Sequence, residues 1–295
     1  MLRGILPPLV TPFRPDGALD LAAFEANLES YAAEDFAGYV VLGSNGEAAS
    51  LEEDEKLALL RAARRRSGAR LVIAGTGLEA TRATIALTRK AADVGADAAL
   101  VLTPSCFKSQ MSVEALRRHY EAVAEASTIP VLLYSFPAVT GLAFPPALAP
   151  AVAGHPRIVG MKESSGDVGL LGRIIASVPA SFAVACGSAP AFYPSLCLGA
   201  AAGILAVANC APRPATALYR AFGASDHARA RRIQAALTPL AVAVTATYGV
   251  AGLKAAVDLS GRRGGSVRAP LLPVAPPVPE ELRRLLGAAE DAARG

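Results

Sequence analysis

Ile158-Val159-Gly160-Met161-Lys162 runs directly into Glu163-Ser164-Ser165-Gly166-Asp167: an apolar stretch of strand length closes on a lysine and breaks into a hydrophilic turn. Burial disfavours an ammonium, so a lysine held where a buried strand opens into a cleft can present a neutral amine to a carbonyl, the first step of Schiff-base chemistry. The alternative is a strand-end lysine whose charged head snorkels to solvent. Lysine is scarce in the 295 residues: Lys56, Lys90, Lys108, Lys162 and Lys254 are the complete set. Lys56 and Lys90 fall in charge-rich helical stretches and read as solvated faces. Lys254 lies in Gly249-Val250-Ala251-Gly252-Leu253-Lys254, outside any strand-like run, and reads as structural. Lys108 belongs to a loop.

Outward from Lys162 the same kind of apolar run recurs. Strand-like runs end near Val10, Leu42, Ala74, Leu102, Tyr134, Lys162, Ala185 and Leu205, eight in all. Amphipathic periodicity predicts helices between them, at Leu21 to Ala33, Glu52 to Arg66, Ala80 to Val94, Val113 to Ala126 and Val168 to Ser177. Continuous apolar strands separated by helices imply a parallel sheet covered on both faces, and eight such units favour closure into a (β/α)8 TIM barrel. The barrel is expected over residues 1–224, with a C-terminal helical appendage over 225–295. Gly75-Thr76-Gly77-Leu78-Glu79-Ala80 follows a strand and opens a helix, so it matches the dinucleotide fingerprint. A ribose-binding acid belongs at the end of the next strand, where Thr103 stands instead, and the glycines read as a tight turn.

The charge of +4 is modest, its arginines are dispersed among acidic neighbours, and aromatics are 5% with no tryptophan, which argues against nucleic-acid binding. The first residues lack the features of a signal or transit peptide, and Gly, Pro or charge interrupts every apolar run before it could span a membrane, so a soluble, cytoplasmic protein without membrane partners is expected. Cys106, Cys186, Cys197 and Cys210 show no paired spacing and read as mostly buried thiols; His119, His155 and His227 are far apart, so no metal site is expected.

In a barrel of this kind the reactive groups gather at the C-terminal ends of the strands. Gly43-Ser44-Asn45-Gly46-Glu47 follows the second strand, Tyr134 ends the fifth, Lys162 the sixth, and Gly187-Ser188 follows the seventh. A Schiff-base lyase needs an amine, an acid/base and donors for a carboxylate; Lys162, Tyr134 and the Ser44-Asn45 turn with its exposed N–H groups supply that set. A core tyrosine and an ordinary glycine turn are the alternatives for the last two.

Pro8-Leu9-Val10-Thr11-Pro12-Phe13, Gly43-Ser44-Asn45-Gly46-Glu47, Gly95-Ala96-Asp97-Ala98, Tyr134-Ser135, Gly141, Gly160-Met161-Lys162-Glu163-Ser164, Gly187-Ser188 and Ala208-Asn209 carry a resemblance along nearly the whole chain. The sequence resembles the dihydrodipicolinate synthase / N-acetylneuraminate lyase family of class I pyruvate aldolases. Within it, Gly-Ser-Asn-Gly-Glu, Tyr-Ser, Met-Lys-Glu-Ser and Arg268-Ala269-Pro270-Leu271 look nearest to 4-hydroxy-2-oxoglutarate aldolase. The resemblance implies Lys162 as the Schiff-base lysine, Tyr134 as the proton shuttle and Ser44 as its relay partner. It implies pyruvate-carboxylate binding by Ser44 and Asn45, a pocket lined by Ser164, substrate contacts from Gly187 and Ile204, no cofactor, and a homotetramer built as a dimer of dimers.

Two positions depart from the family pattern. Phe107 stands where a relay tyrosine reaches into the neighbouring subunit. Val139 stands where dihydrodipicolinate synthases carry an arginine for the second substrate's carboxylate, with Lys108 in the adjacent loop as a possible replacement charge. Together these favour cleavage of a 4-hydroxy-2-oxo acid, such as 4-hydroxy-2-oxoglutarate, to pyruvate and an aldehyde or glyoxylate. The alternatives are dihydrodipicolinate synthase, a dehydratase on a sugar-derived 2-oxo acid, and a 2-oxo-acid-binding protein with impaired turnover.

Overall fold

The computed structural model describes residues 2–295. Eight parallel strands, β1 (Gly4–Ile5), β2 (Gly38–Val41), β3 (Leu71–Gly75), β4 (Ala98–Leu102), β5 (Val131–Ser135), β6 (Ile158–Glu163), β7 (Ala183–Cys186) and β8 (Ala202–Gly203), form one sheet in the order β1-β8-β7-β6-β5-β4-β3-β2. Bridges Ile5–Phe36 and Pro8–Val40 bring β1 against β2 and complete the (β/α)8 barrel. The first and last strands are shorter than the apolar runs suggest, because Pro7 and Pro8 remove two ladder donors after Ile5, and Ala206–Asn209 coils into a 3-10 turn after β8. The residues up to Val10 still belong to the wall through Leu9 N–Val40 O at 2.8 Å and Val40 N–Pro7 O at 3.0 Å.

The predicted helices appear within a residue or two of their expected limits. They are α1 (Leu21–Tyr31), α2 (Glu53–Arg66), α3 (Thr81–Asp93), α4 (Val113–Ala126) and α7 (Val168–Ser177), joined by the short α5 (Pro137–Thr140), α6 (Leu148–Val152) and α8 (Phe192–Cys197). The chain ends in α9 (Pro212–Gly223), α10 (His227–Val242), α11 (Gly249–Leu259) and α12 (Val278–Arg294). Strand alternation sorts side chains into two cores. Leu6, Val40, Ile73, Leu100, Leu132, Tyr134 and Ile204 fill the barrel interior, whereas Val41, Val101, Val131, Leu133 and Met161 face the helices. Cys186 and Cys210 are buried; Cys106 and Cys197 are exposed, the latter at the end of α8, which corrects the expectation of a buried thiol there. No helix among the described residues is long and apolar enough to cross a membrane.

Candidate active site

Alternation after a register shift near the start of β6 decides where Lys162 points. Met161 packs outward, so Lys162 turns inward at the C-terminal end of β6, level with Tyr134 on β5, its register partner. Lys162 is 2% exposed; its Nζ donates to Tyr134 Oη at 3.2 Å and lies 4.2 Å from the centre of that ring. Among the described residues no carboxylate forms an ion pair with it. Glu163, the next residue, faces the opposite way. Burial raises its carboxyl pKa, opposed by Ser165 N at 2.8 Å and Ser135 Oγ at 3.4 Å. A buried amine against a phenol, with solvent excluded, is an arrangement suited to adding a carbonyl and moving a proton.

The β7 end closes in behind the lysine. Ser164 Oγ is buried without a hydrogen-bond partner, and a Cβ on Gly187 would stand 1.8 Å from it and 2.9 Å from Lys162 Cε. Only a residue without a side chain fits there. Ile204, fully buried, joins Tyr134 in the interior cluster. At β2, Ser44–Gly46 forms a 3-10 turn whose N–H groups of Ser44 and Asn45 find no acceptor among the described residues, while Thr11 Oγ1 donates to Gly46 O at 2.7 Å. Free N–H groups of this kind suit a carboxylate. No hydrogen bond joins Ser44 to Tyr134 among the described residues; Lys162 is the phenol's one protein partner.

Phe107 and Val139 stand apart from this centre, on the rim, 66% and 56% exposed. Lys108 is also exposed, yet its amine folds onto the loop after β5: a Cβ at Gly141 would lie 2.5 Å from Nζ, and no acidic partner holds it among the described residues. Sequence reasoning missed one part of the site. Glu47, ending the Ser44-Asn45 turn, forms a buried ion pair with Lys254 of α11, and Arg268 spans to Glu55 with contacts of 2.6 and 2.7 Å. The scarcity of lysine, with Lys254 set in an apolar run, was the available signal.

The chain matches the Dihydrodipicolinate synthetase family over residues 1–289. A 4-hydroxy-tetrahydrodipicolinate synthase of Exiguobacterium sibiricum is 38% identical over 273 residues, covering 92% of each chain. That of Methanoculleus marisnigri is 37% identical over 290 residues, covering 97% of this chain and 99% of its own. Among solved structures, the 4-hydroxy-tetrahydrodipicolinate synthase of Methylacidiphilum fumariolicum SolV superposes with a TM-score of 0.93 at 27% identity, covering 100% of this chain and 98% of that one. The chloride-inhibited dihydrodipicolinate synthase of Acinetobacter baumannii, complexed with pyruvate, does so at 0.89 and 31%, covering 98% and 99%. These relatives overturn the expectation of a 4-hydroxy-2-oxoglutarate-type cleavage and favour the synthase that stood as its alternative. That expectation rested on Phe107 and on Val139 in place of an arginine; the candidate replacement charge, the Lys108 amine, lies against Gly141, two residues from Val139.

Proposed function

Because this chain belongs to the dihydrodipicolinate synthetase family of Schiff-base class I aldolases, we propose that it condenses pyruvate with aspartate semialdehyde, the 4-hydroxy-tetrahydrodipicolinate synthase reaction. The Lys162 amine adds to C2 of pyruvate and water leaves, giving an imine. Loss of a methyl proton gives the enamine, whose C3 forms the new bond to the aldehyde carbon as Tyr134 delivers a proton to the aldehyde oxygen. The amine of the second substrate then attacks the imine carbon and displaces Lys162, closing the ring. Ser44 and Asn45 hold the pyruvate carboxylate, Ser44 passes protons to Tyr134 through the bound substrate or a water, and Ser164, Gly187 and Ile204 shape the pocket around the imine. The 3.2 Å contact between Lys162 Nζ and Tyr134 Oη inside the barrel mouth is the observation that carries this reading.

Lys108 takes the carboxylate of the aldehyde substrate, supported by its unpaired amine beside Gly141; Val139 supplies only apolar contact there. A homotetramer, a dimer of dimers in which Phe107 packs at a subunit boundary, belongs to the same reading, supported by that ring's exposure. Borohydride reduction with pyruvate should label Lys162, located by peptide mass mapping, and Lys162→Ala should abolish the label. An adduct on Lys254 or Lys108, or no condensation with aspartate semialdehyde, would remove the proposal.

A further inference from the structure

Behind the Ser44-Asn45 turn lies a buried charged assembly that contacts no reacting atom. Glu47 ends the turn in the left-handed region, φ 52°, which an L residue adopts at a steric cost, so something beyond the local sequence must hold it there. Its side chain is 2% exposed: one carboxylate oxygen pairs with Lys254 Nζ, and the other accepts from Arg268 N at 2.9 Å. Lys254 is as deeply buried, donates to Ser266 O at 2.6 Å and lies over Phe13 at 4.5 Å. Burial lowers the pKa of its ammonium, and the Glu47 carboxylate opposes that. Arg268 also lies over the Phe13 ring, 4.1 Å from its centre, and reaches Ser50 O at 2.6 Å and Gly17 O at 2.7 Å. The 261–268 segment is pressed so close to α11 that a Cβ at Gly264 would meet Lys254 O at 2.1 Å. Among the described residues, Glu47 is thus the only side chain that ties the turn to the C-terminal helices, and it follows Asn45 by two residues.

We infer that the Glu47–Lys254 pair is a positioning device that fixes the direction of the Ser44 and Asn45 N–H groups, so that α11 sets the affinity for pyruvate. This rests on the reading that the turn binds the pyruvate carboxylate. Rotation about Glu47 would swing those donors away from the carboxylate while leaving Lys162 and Tyr134, on β6 and β5, where they are.

The test compares the wild type with Glu47→Asp, Glu47→Gln, Lys254→Met and the double variant Glu47→Gln/Lys254→Met, measuring KM for each substrate, kcat, melting temperature and the pyruvate dependence of borohydride labelling. The single variants should raise KM for pyruvate by about 10-fold or more, with kcat changed less than about 3-fold and KM for the aldehyde within about 2-fold. Glu47→Asp keeps the charges and folds, yet it cannot span the pair, so it should show the same split. The double variant leaves no buried charge unpaired and should recover melting temperature, but it should not recover pyruvate affinity. Pyruvate KM unchanged in every folded variant, or recovering together with stability in the double variant, would overturn the inference and leave the pair a stabilising element alone. A wild type that takes no label from pyruvate would instead overturn the underlying reading of the site, and this inference with it.

Discussion

Gly187→Ala is the smallest change that should disable the site. The residue's φ is not in the left-handed region, so alanine meets no backbone strain; the conflict is with its neighbours. The new methyl would lie 2.9 Å from Lys162 Cε and from Ser164 Cβ, and 1.8 Å from Ser164 Oγ. Ser164 can rotate its hydroxyl away. The two carbon contacts cannot be relieved that way, and because non-bonded carbons settle at about 3.5–4.0 Å, Lys162 Cε must retreat by about 0.6–1.1 Å. A displacement near 1 Å at a reacting group costs about 100-fold, or about 2.7 kcal/mol of activation free energy. Single-turnover labelling by borohydride at saturating pyruvate should therefore slow about 100-fold, with the circular dichroism spectrum unchanged. Adding Ser164→Gly removes two of the three clashes and should restore part of the rate. Labelling of Gly187→Ala at the wild-type rate would refute the packing argument and show that Lys162 has room the structure denies it.

Tyr134→Phe should lower turnover by about 10²–10⁴-fold while Lys162 still takes a label from pyruvate, because the phenol acts on the proton in flight. Steady-state kinetics paired with mass mapping decides it. Lys108→Met should raise KM for aspartate semialdehyde about 10-fold without moving KM for pyruvate, one charge-assisted contact being removed from one substrate only; equal shifts in both would place the lysine elsewhere. His119, whose Nδ1 shares a hydrogen bond of 2.9 Å with Thr81 Oγ1, is pushed by burial from 6.5 to about 4. The unfolded state thus binds the extra proton first as pH falls below 6.5, and stability should drop by about 3 kcal/mol by pH 4. His119→Leu should flatten that part of the urea-melt pH profile.

The barrel and the meeting of Lys162 with Tyr134 were legible because both depend on local pattern. Alternation in Val131–Ser135 and, beyond a register shift, in residues 160–163 fixes which side chains turn inward, and the eight repeats then bring Tyr134 and Lys162 to one mouth. The Glu47–Lys254–Arg268 assembly was not legible, since its members approach from loops and helices as much as 221 residues apart and no periodicity links them. The rim at Val139 misled for a related reason. The sequence offers Lys108 in an adjacent loop as a replacement charge, but nothing in it says where that side chain goes, and only the folded chain shows the amine laid across Gly141.

The seam between β1 and β8 also governs when the molecule can become itself. Asn209 fastens it, accepting from Val10 N, 199 residues away, and donating to Pro8 O, while Tyr31 Oη donates to Asn209 O at 2.6 Å. On a ribosome adding about 5–20 residues per second, β1 waits about 10–40 s for its partner. Until then β2 through β7 can form only an open sheet with two bare edges, and the Ser44-Asn45 turn stays without Lys254. Growing chains of this protein should thus depend on chaperones until α11 emerges, and removing the C-terminal helices should yield an aggregating product in place of a smaller folded barrel.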